Sequence, residues 1–309
     1  LSGRRPTPAP ISRRGACWTR ADPVLDRRLL LAGGGALLGL GLWRARGLAA
    51  ERGASDPAAD FALVGQLIQG GWARGRAPLG TRQLSFNRRM LQLAPDRSFF
   101  IAFDRDAGPR AELLADLGGG ESSRGQFAIA PRAWQIERIP LGPRPGAPPD
   151  PEYARRREGE LARINAARAV DHMVDGWRQK FIWPVRGRLS GRFGAQRIYN
   201  GVPGSYHSGM DIATGASGTP FVAPADGVVT LAAENSFSLE GRLLMIDHGM
   251  GLNSAFLHCA NHAVKEGEVV RQGQLIGRIG ATGRATGPHL HWSIKWRECR
   301  LDPLLFVGA

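Results

Sequence analysis

Side chains that commonly bind metals recur at short spacings in two segments of the chain. His207 and Asp211 lie four residues apart, and His289 and His291 lie two apart. Side chains at i and i+2 of a strand project from one face, so His289 and His291 should point into the same space. A helical turn or a tight loop would bring His207 and Asp211 together. Two histidines and one aspartate around an open fourth position are typical of a catalytic zinc site, so these residues predict a zinc hydrolase.

A further candidate for the chemistry is His258, which ends an apolar run that begins at Leu252. Zinc lowers the pKa of its bound water and polarises a carbonyl group. An imidazole at hydrogen-bonding distance could take the water's proton or stabilise the oxyanion. The other histidines carry no such pattern. We expect His172 at a surface or packing position, His248 in a structural role before a Gly turn, and His262 in an exposed loop.

The segment that holds these residues, 181–309, consists of short apolar strands separated by Gly-rich turns. Glycine at positions that need positive φ is typical of antiparallel hairpins, so we expect an antiparallel β-sheet domain. The stretch from Val264 to Gly277 also resembles the half-barrel of biotinyl and lipoyl carrier domains. Such carriers present a Lys at a hairpin tip midway through the barrel, and Lys265 has neither that position nor the flanking residues. The carrier alternative also leaves the His and Asp residues unexplained.

Residues 58–140 contain short alternating runs broken by Gly and Pro, for example Ser98–Phe103. Strands at this spacing predict a small β-sandwich-like domain. The triplet Asp104-Arg105-Asp106 follows this run. We interpret it as a set of solvated loop residues without a catalytic role.

Residues 141–180 are interpreted as a Pro-rich linker followed by a long helix. The helix is expected from about Glu152 to Gln179, because apolar residues recur every three or four positions there. The recurring residues are Leu161, Ile164, Ala167, Val170, Met173 and Trp177. At about 1.5 Å per residue this helix would reach roughly 40 Å, enough to lie across one or both domains. The predicted fold class is therefore mainly β: a small sandwich-like domain, a long connecting helix and a C-terminal antiparallel sheet.

Residues 1–50 combine an unstructured N-terminus with the parts of an export signal. The apolar stretch from Leu29 to Trp43 is shorter than the ~20 residues that a membrane helix needs. It follows the pair Arg27-Arg28 and ends among small residues, as signal peptides do, and the pair resembles a twin-arginine signal. The alternative is an uncleaved segment that associates transiently with a membrane. We expect an exported protein of the periplasm or cell envelope.

Half of the formal charge of +14 lies in residues 1–50, which hold nine Arg against two Asp. No helix or stripe combines basic with aromatic residues as nucleic-acid binders do, so no nucleic-acid partner is expected. The Arg surplus would suit an anionic polymer. The sequence contains no CxxC pair that would favour a Cys zinc cluster. Cys259 and Cys299 could pair in an oxidising compartment or remain two separate buried thiols.

Several motifs, taken in order, resemble the lysostaphin-type (LytM-type) zinc metallopeptidases, which are peptidoglycan endopeptidases. The HxxxD pattern at His207–Asp211 is followed by a strand that ends in Leu257-His258 and then by the run Gly287–Trp292. Further matching segments are 190–194, 223–229, 246–249 and 282–287. Together these motifs extend over most of residues 184–305. The preceding β-sandwich and helix are also similar to those of exported members of the family.

The resemblance implies that His207, Asp211 and His291 are the zinc ligands and that His258 and His289 are catalytic groups beside the metal. It implies an exported zinc metalloendopeptidase that hydrolyses peptide bonds in the stem peptides or cross-links of peptidoglycan, with zinc-bound water as the nucleophile. Which bond is cut, and which of His258 and His289 acts as the base, stay open. The alternative is a non-catalytic cell-wall-binding module or an activator of other wall hydrolases, although family members of that type typically lack ligands.

Some positions near these motifs leave further questions. Phe256 and Cys259 flank His258 where the family often has Tyr and Leu. Tyr199 or Tyr206 could hydrogen-bond the transition state. The N-terminal domain or the long helix could cover the substrate groove in a resting state.

Overall fold

The structure is a computed structural model that describes residues 59–140 and 150–308 of the chain. The expected export segment and most of the Pro-rich linker lie outside these residues. The described residues are mainly β, as the sequence predicts. No helix among them is both long enough and apolar enough to span a membrane.

The described N-terminal part contains eight strands. They are β1 (Val64–Gly65), β2 (Trp72–Arg76), β3 (Gln83–Phe86), β4 (Arg89–Leu91), β5 (Ser98–Ala102), β6 (Arg110–Gly118), β7 (Glu121–Ala128) and β8 (Ile136–Ile139). Strands β1, β2 and β5 form one sheet, and β4, β3, β6 and β7 form another in that order. Alternate residues of β6 are buried, whereas every residue of β5 is buried. Phe86 of β3 packs against Phe103 just after β5, so the two sheets share a sandwich-like core.

Helix α1 (Pro151–Ala169), twelve further strands and the short helix α2 (Leu304–Val307) follow. The strands are β9 (Arg188–Gly191), β10 (Gln196–Tyr199), β11 (Val202–Pro203), β12 (Met210–Ala213), β13 (Pro220–Val222), β14 (Gly227–Ala232), β15 (Arg242–Asp247), β16 (Leu252–His262), β17 (Val269–Val270), β18 (Leu275–Ile279), β19 (Leu290–Trp296) and β20 (Cys299–Leu301). Ten of them form one antiparallel sheet, whose main path is β17–β14–β15–β16–β19–β12–β9. Strand β18 joins β16 to β13, and β20 pairs with β19. The hairpin of β10 and β11 pairs instead with β8, in parallel.

The large sheet is buried on both faces at its centre. Alternate residues of a strand project to opposite faces. Along β15, Leu244 and Ile246 face a core shared with the N-terminal part, whereas Leu243 and Met245 belong to a second cluster that includes Ile164 of α1. This two-sided burial explains the continuous apolar run of β15, because neither face of that strand meets water.

The N-terminal strands and the large sheet are joined by aromatic packing. The ring centroids of Phe100 in β5 and Trp296 in β19 lie 6.1 Å apart, and those of Trp72 and Phe306 lie 5.1 Å apart. The Trp72 Nε1–H also donates to the backbone oxygen of Leu305 at 3.1 Å. Aromatic side chains bury large apolar areas, so these contacts hold the two parts in one arrangement.

Helix α1 begins where the sequence predicts but ends earlier. Asp150 caps the helix, because its side chain accepts a hydrogen bond from the Glu152 backbone N–H at 2.9 Å. The helix ends at Ala169 rather than near Gln179. Its length is therefore about 28 Å instead of the roughly 40 Å expected.

Contacts with the end of β15 explain this early end. The Asp247 carboxylate accepts hydrogen bonds from the backbone N–H and the ring Nδ1 of His172, at 2.6 and 2.9 Å. Beyond this point the residues of the predicted apolar stripe no longer share one face. Met173 is 92 % exposed, whereas Trp177 is buried in a 3-10 turn, Gly176–Arg178. Tertiary hydrogen bonds thus override the helical periodicity, and His172 lies outside the helix.

The sequence left open whether Cys259 pairs with Cys299. In the structure Cys259 is a free and fully buried thiol, so this disulfide is not formed. Burial raises the pKa of Cys259 to about 12, which keeps it in the unreactive thiol form.

His248 has the structural role that its position predicted. Its ring is fully buried; Nδ1–H donates to the Asp226 backbone oxygen at 2.8 Å, and Nε2 accepts from the Ser254 hydroxyl at 2.9 Å. The Trp292 indole N–H in turn donates to that hydroxyl at 3.2 Å. Burial lowers the pKa of His248 to about 4, so the folded protein holds this imidazole neutral.

This buried imidazole should make folding sensitive to acid. An unfolded His titrates near pH 6.5, so between about pH 6.5 and 4 the unfolded chain binds more protons than the folded one. Stability is therefore lost as the pH falls through this window. We expect His248 alone to remove about 2 kcal/mol of unfolding free energy by about pH 5. Urea unfolding of wild type and His248→Gln at neutral pH and at pH 5 measures the effect.

The variant should be less stable at neutral pH but should lose less stability on acidification. Equal acid losses in wild type and variant would contradict the assignment, since His248 would then contribute nothing to the pH dependence.

Candidate metal centre

Three side chains predicted as metal ligands converge at one end of the large sheet. His207 Nε2 lies 3.1 Å from Asp211 Oδ1 and 3.1 Å from His291 Nδ1, and the last two atoms lie 2.8 Å apart. Their donor atoms therefore form a compact group that could hold a metal ion. The side chains are between 10 % and 26 % exposed, so solvent reaches the group.

The strand register brings two of these donors together. Strand β12 lies between β9 and β19, and its Asp211 is directly opposite His291. Directly paired residues of an antiparallel ladder project to the same face, so the carboxylate and the imidazole meet without a special turn. Their separation of 80 residues along the chain hides this pairing from any local pattern.

His207 reaches the other donors from a loop rather than from a helix. The loop is held against residues 194–195: Gly194 N–H donates to the His207 backbone oxygen at 2.9 Å, and His207 N–H donates to the Ala195 oxygen at 2.8 Å. The His207 Nδ1–H donates to the Arg192 oxygen at 3.1 Å. Because Nδ1 contacts this carbonyl, Nε2 is the ring nitrogen that faces Asp211 and His291.

Two glycines of the 190–194 motif allow close approaches at this site. A Cβ at Gly191 would overlap the Asp211 carboxylate, and a Cβ at Gly194 would overlap the Trp134 ring. Gly194 also has a φ of 81°, a conformation that other residues adopt at a cost. The motif thus shapes both the donor pocket and the loop that carries His207.

The N-terminal part supports this loop through Arg105. The prediction that Arg105 is a solvated loop residue is wrong. Arg105 is 5 % exposed, and its guanidinium donates to the Gly194 backbone oxygen at 3.1 Å and to Gln196 Oε1 at 3.0 Å. It also lies over the rings of Trp134 and Tyr206, at 5.3 and 4.6 Å. A residue from the sandwich therefore positions the segment that carries the candidate donor His207.

His258 and His289 lie beside the three donors. The His258 Nδ1–H donates to the Thr282 backbone oxygen at 2.8 Å, and the His289 Nδ1–H donates to the Gly287 oxygen at 2.8 Å. In the neutral form of either ring, Nε2 is therefore the free acceptor nitrogen, and His289 Nε2 lies 3.7 Å from Asp211 Oδ1. The two ring centroids are 4.8 Å apart.

His258 also has an unusual backbone conformation, with a φ of 65°. Its N–H donates to the Glu240 oxygen at 2.9 Å, outside the regular ladder of β16. Left-handed backbone at a residue other than glycine is uncommon and clusters at functional sites. Because of this kink, the His258 side chain does not follow the regular alternation of sheet faces along β16.

The charges of the site differ from those of free side chains. Burial alone would raise the pKa of Asp211, but hydrogen bonds from His207 and His291 outweigh burial and hold it far below its usual range. Burial alone would lower the pKa of His207, yet the hydrogen bond to Asp211 raises it. Burial lowers the pKa values of His291 and His258. The site therefore combines an ionised carboxylate with one imidazole whose pKa is raised and two whose pKa values are lowered.

This donor set fits zinc. Two imidazole nitrogens and one carboxylate oxygen lie within 4.8 Å of one another, and zinc prefers such ligands. Three protein donors leave a fourth position for a ligand or water. The His207 contact with Arg192 is the kind of second hydrogen bond that fixes the ring of a metal-binding histidine.

Helix α1 lies over the same sheet face as the donors. His291 is paired with Leu257 of β16, and Ala255, on that same face, packs in the cluster that contains Ile164 of α1. The helix thus packs beside the centre of the sheet, whereas the donors on β12 and β19 stay partly exposed. It borders the candidate site rather than closing it.

Other residues singled out from the sequence lie elsewhere. Tyr206 packs between Arg105 and Arg300, so its contacts belong to the junction with the N-terminal part, and Tyr199 is 39 % exposed on β10. His262 ends β16 instead of lying in a loop and is half-buried, so the exposed position expected for it is wrong.

Residues 205–303 match the model of the family described as Peptidase family M23. This range contains the three candidate donors together with His258 and His289. A crystal structure from Pseudomonas aeruginosa, provisionally assigned to peptidase M23, is similar to this chain with a TM-score of 0.60 and 28 % identity. The similarity covers 79 % of this chain and 96 % of that chain, so it extends beyond residues 181–309.

Two curated relatives are similar over shorter segments. The chain is 33 % identical over 147 residues to the peptidoglycan DD-endopeptidase ShyB of Vibrio cholerae, which covers 48 % of this chain and 30 % of that protein. It is 40 % identical over 98 residues to the DD-carboxypeptidase/endopeptidase Mpg of Neisseria meningitidis, which covers 32 % of this chain and 22 % of that protein. The chain spans less than a third of the length of these relatives.

The donor geometry predicts which substitutions abolish metal binding. Asp211→Ala and His291→Ala each remove one of three donors, so bound zinc should fall from about one ion per chain to near zero. His289→Ala should keep its zinc. Elemental analysis after dialysis against low free zinc measures the stoichiometry. Full zinc occupancy in His291→Ala would contradict the donor assignment.

The contact through Arg105 predicts an effect from outside the donor group. Arg105→Ala removes the donor to the Gly194 oxygen and to Gln196 Oε1, and we expect zinc to bind about tenfold more weakly because the His207 loop is less fixed. Competition with a zinc-chelating dye measures the affinity.

Arg110→Ala, which removes an exposed arginine of the same part, is the matched control and should bind zinc as wild type does. Unchanged zinc affinity in a folded Arg105→Ala protein would show that the loop needs no support from the sandwich.

Proposed function

Because residues 205–303 match the model of peptidase family M23, we propose that this chain is an exported zinc endopeptidase of the cell envelope. Its substrate is peptidoglycan, in which it hydrolyses peptide bonds of stem peptides or cross-links. The observation that carries the proposal is the convergence of His207, Asp211 and His291 with two further imidazoles at an accessible position. The similarity to a DD-endopeptidase and to a DD-carboxypeptidase/endopeptidase supports the substrate class.

The proposed division of roles follows the hydrogen bonds. His207 Nε2, Asp211 Oδ1 and His291 Nδ1 would hold the ion, which when bound supplies Lewis acidity and lowers the pKa of a water molecule. The Asp211 carboxylate is ionised in the fold, and burial lowers the pKa of His291, which favours the neutral imidazole that a metal ion requires.

His258 and His289 are the proposed proton-transfer and oxyanion-stabilising groups. Each donates Nδ1–H to a backbone carbonyl, so Nε2 is the nitrogen that can accept a proton when the ring is neutral. After protonation, the same nitrogen can donate a hydrogen bond to a developing oxyanion. Because the two rings make the same kind of contact through Nδ1, the proposal assigns both tasks to His258 and His289 together.

The remaining parts of the proposal concern organisation and location. Residues 58–140 form the sandwich-like domain, 141–180 the linker and helix, and 181–309 the peptidase domain. Residues 1–50 carry the export signal and thus place the enzyme in the periplasm. The surplus of Arg over acidic residues suits a wall that carries anionic groups.

Digestion of purified peptidoglycan tests this proposal. The zinc-loaded protein should release soluble peptide-containing fragments, and mass spectrometry of these fragments identifies the cleaved bond. His291→Ala should release none, because it lacks a donor. His258→Ala and His289→Ala should keep zinc but lose activity by about 100-fold or more, the usual effect of removing a general acid or base.

A folded, zinc-loaded wild-type protein that releases no fragments would overturn the proposal and favour the wall-binding or activator alternative. Substantial activity in His258→Ala or His289→Ala would remove that residue from the proposed mechanism while leaving the enzyme assignment intact.

A further inference from the structure

A groove of about 340 Å³ opens beside the metal donors and continues along the sheet. It contains two charged side chains, Arg188 and Asp211, and is otherwise formed by small or polar residues and an imidazole. The other lining residues are Ser190, Ala213, Gly215, Thr286, Gly287, Pro288 and His289. Because the groove begins at a donor and at His289, a substrate held at the metal would extend into it.

The register of β9 against β12 places Arg188 on the donor face of the sheet. Arg188 is paired with Ala213, two residues after Asp211, and Arg188 and Ser190 both line the groove. Residues two apart in a strand lie on one face, separated by about 7 Å. The guanidinium therefore belongs to a position about two residues along an extended peptide from the metal donors.

Arg188 is exposed, and its guanidinium has no hydrogen-bond or ion-pair partner within residues 59–140 and 150–308. Several other arginines of the described residues are paired, for example Arg157 with Glu240 and Arg132 with Asp302. The other charge in the groove, on Asp211, is the one that the proposed zinc ion would neutralise. A loaded site would thus leave a groove of net positive charge.

We propose that Arg188 forms an anion subsite that selects peptides with a free carboxylate about two residues from the cleaved bond. A guanidinium matches a carboxylate with two parallel N–H···O bonds, and such charged pairs are stronger than neutral hydrogen bonds. This inference rests on the proposed function, since it names the chemistry of that site's substrate. Peptidoglycan peptides carry free carboxylates at chain ends and on side groups, so the subsite would distinguish among their bonds.

The test compares two forms of one substrate. Purified peptidoglycan is divided, and in one half the carboxylates are converted to amides with carbodiimide and ammonium ion. The kcat/KM for release of soluble fragments is measured for zinc-loaded wild type, Arg188→Gln and Arg188→Lys. Arg155→Gln, which removes an equally exposed and unpaired arginine on α1, is the matched control for net charge.

We expect Arg188→Gln to lower kcat/KM about tenfold on untreated peptidoglycan and to leave it unchanged on the amidated form. Arg188→Lys should retain part of the lost activity, because it keeps the charge but not the planar fork. Arg155→Gln should behave as wild type on both substrates. Zinc content and thermal unfolding confirm that each variant is folded and loaded.

Two results would overturn the subsite. One is an equal fall in kcat/KM for Arg188→Gln on both substrates, and the other is no fall on either. If Arg188→Gln does not fold, the wild-type protein alone tests the subsite. Equal wild-type kcat/KM values on untreated and amidated peptidoglycan would exclude a role for the carboxylate. Failure of the proposed function is distinct, because wild type would then release no fragments from either form.

Discussion

The candidate site depends on one strand pairing, that of β12 with β19. In this register Asp211 is opposite His291, and both side chains emerge on the face that also carries the groove. A slip of one residue would turn Asp211 to the opposite face, where Met210 and Ile212 are now buried. The apolar neighbours of the aspartate therefore enforce the position of its carboxylate, because burying that charge in place of Met210 would be very unfavourable.

The other elements are arranged around this strand pair. One face of the large sheet packs into the core shared with the sandwich, which leaves the other face for α1 and the donors. Backbone carbonyls then fix the imidazole rings of the site. The Arg192 oxygen holds His207, a candidate donor, and the Thr282 oxygen holds His258 beside the donors. Much of the order at the site thus comes from main-chain acceptors, whose positions follow from the fold itself.

The sequence could single out the candidate donors because part of their spacing is local. His289 and His291 needed only the period of a strand, and the resemblance to a known family supplied the partners. Arg105 was misjudged because its acceptor at Gly194 lies 89 residues further along the chain. The end of α1 was missed for a similar reason: Asp247, which captures the backbone at His172, is 75 residues away. Periodicity describes a segment in isolation, so it fails where a distant carboxylate or carbonyl competes for the same hydrogen bonds.

The route from Arg105 through Gly194 to His207 has a thermodynamic consequence. The same short loop contacts the sandwich and carries a candidate donor, so in the proposed enzyme the free energies of docking and of ion binding would be linked. Linkage is reciprocal: if a docked sandwich favours the loaded site, the loaded site favours docking by the same amount. The attachment between the two halves of the chain would then vary with zinc supply, and a chain starved of metal would be the more loosely assembled form.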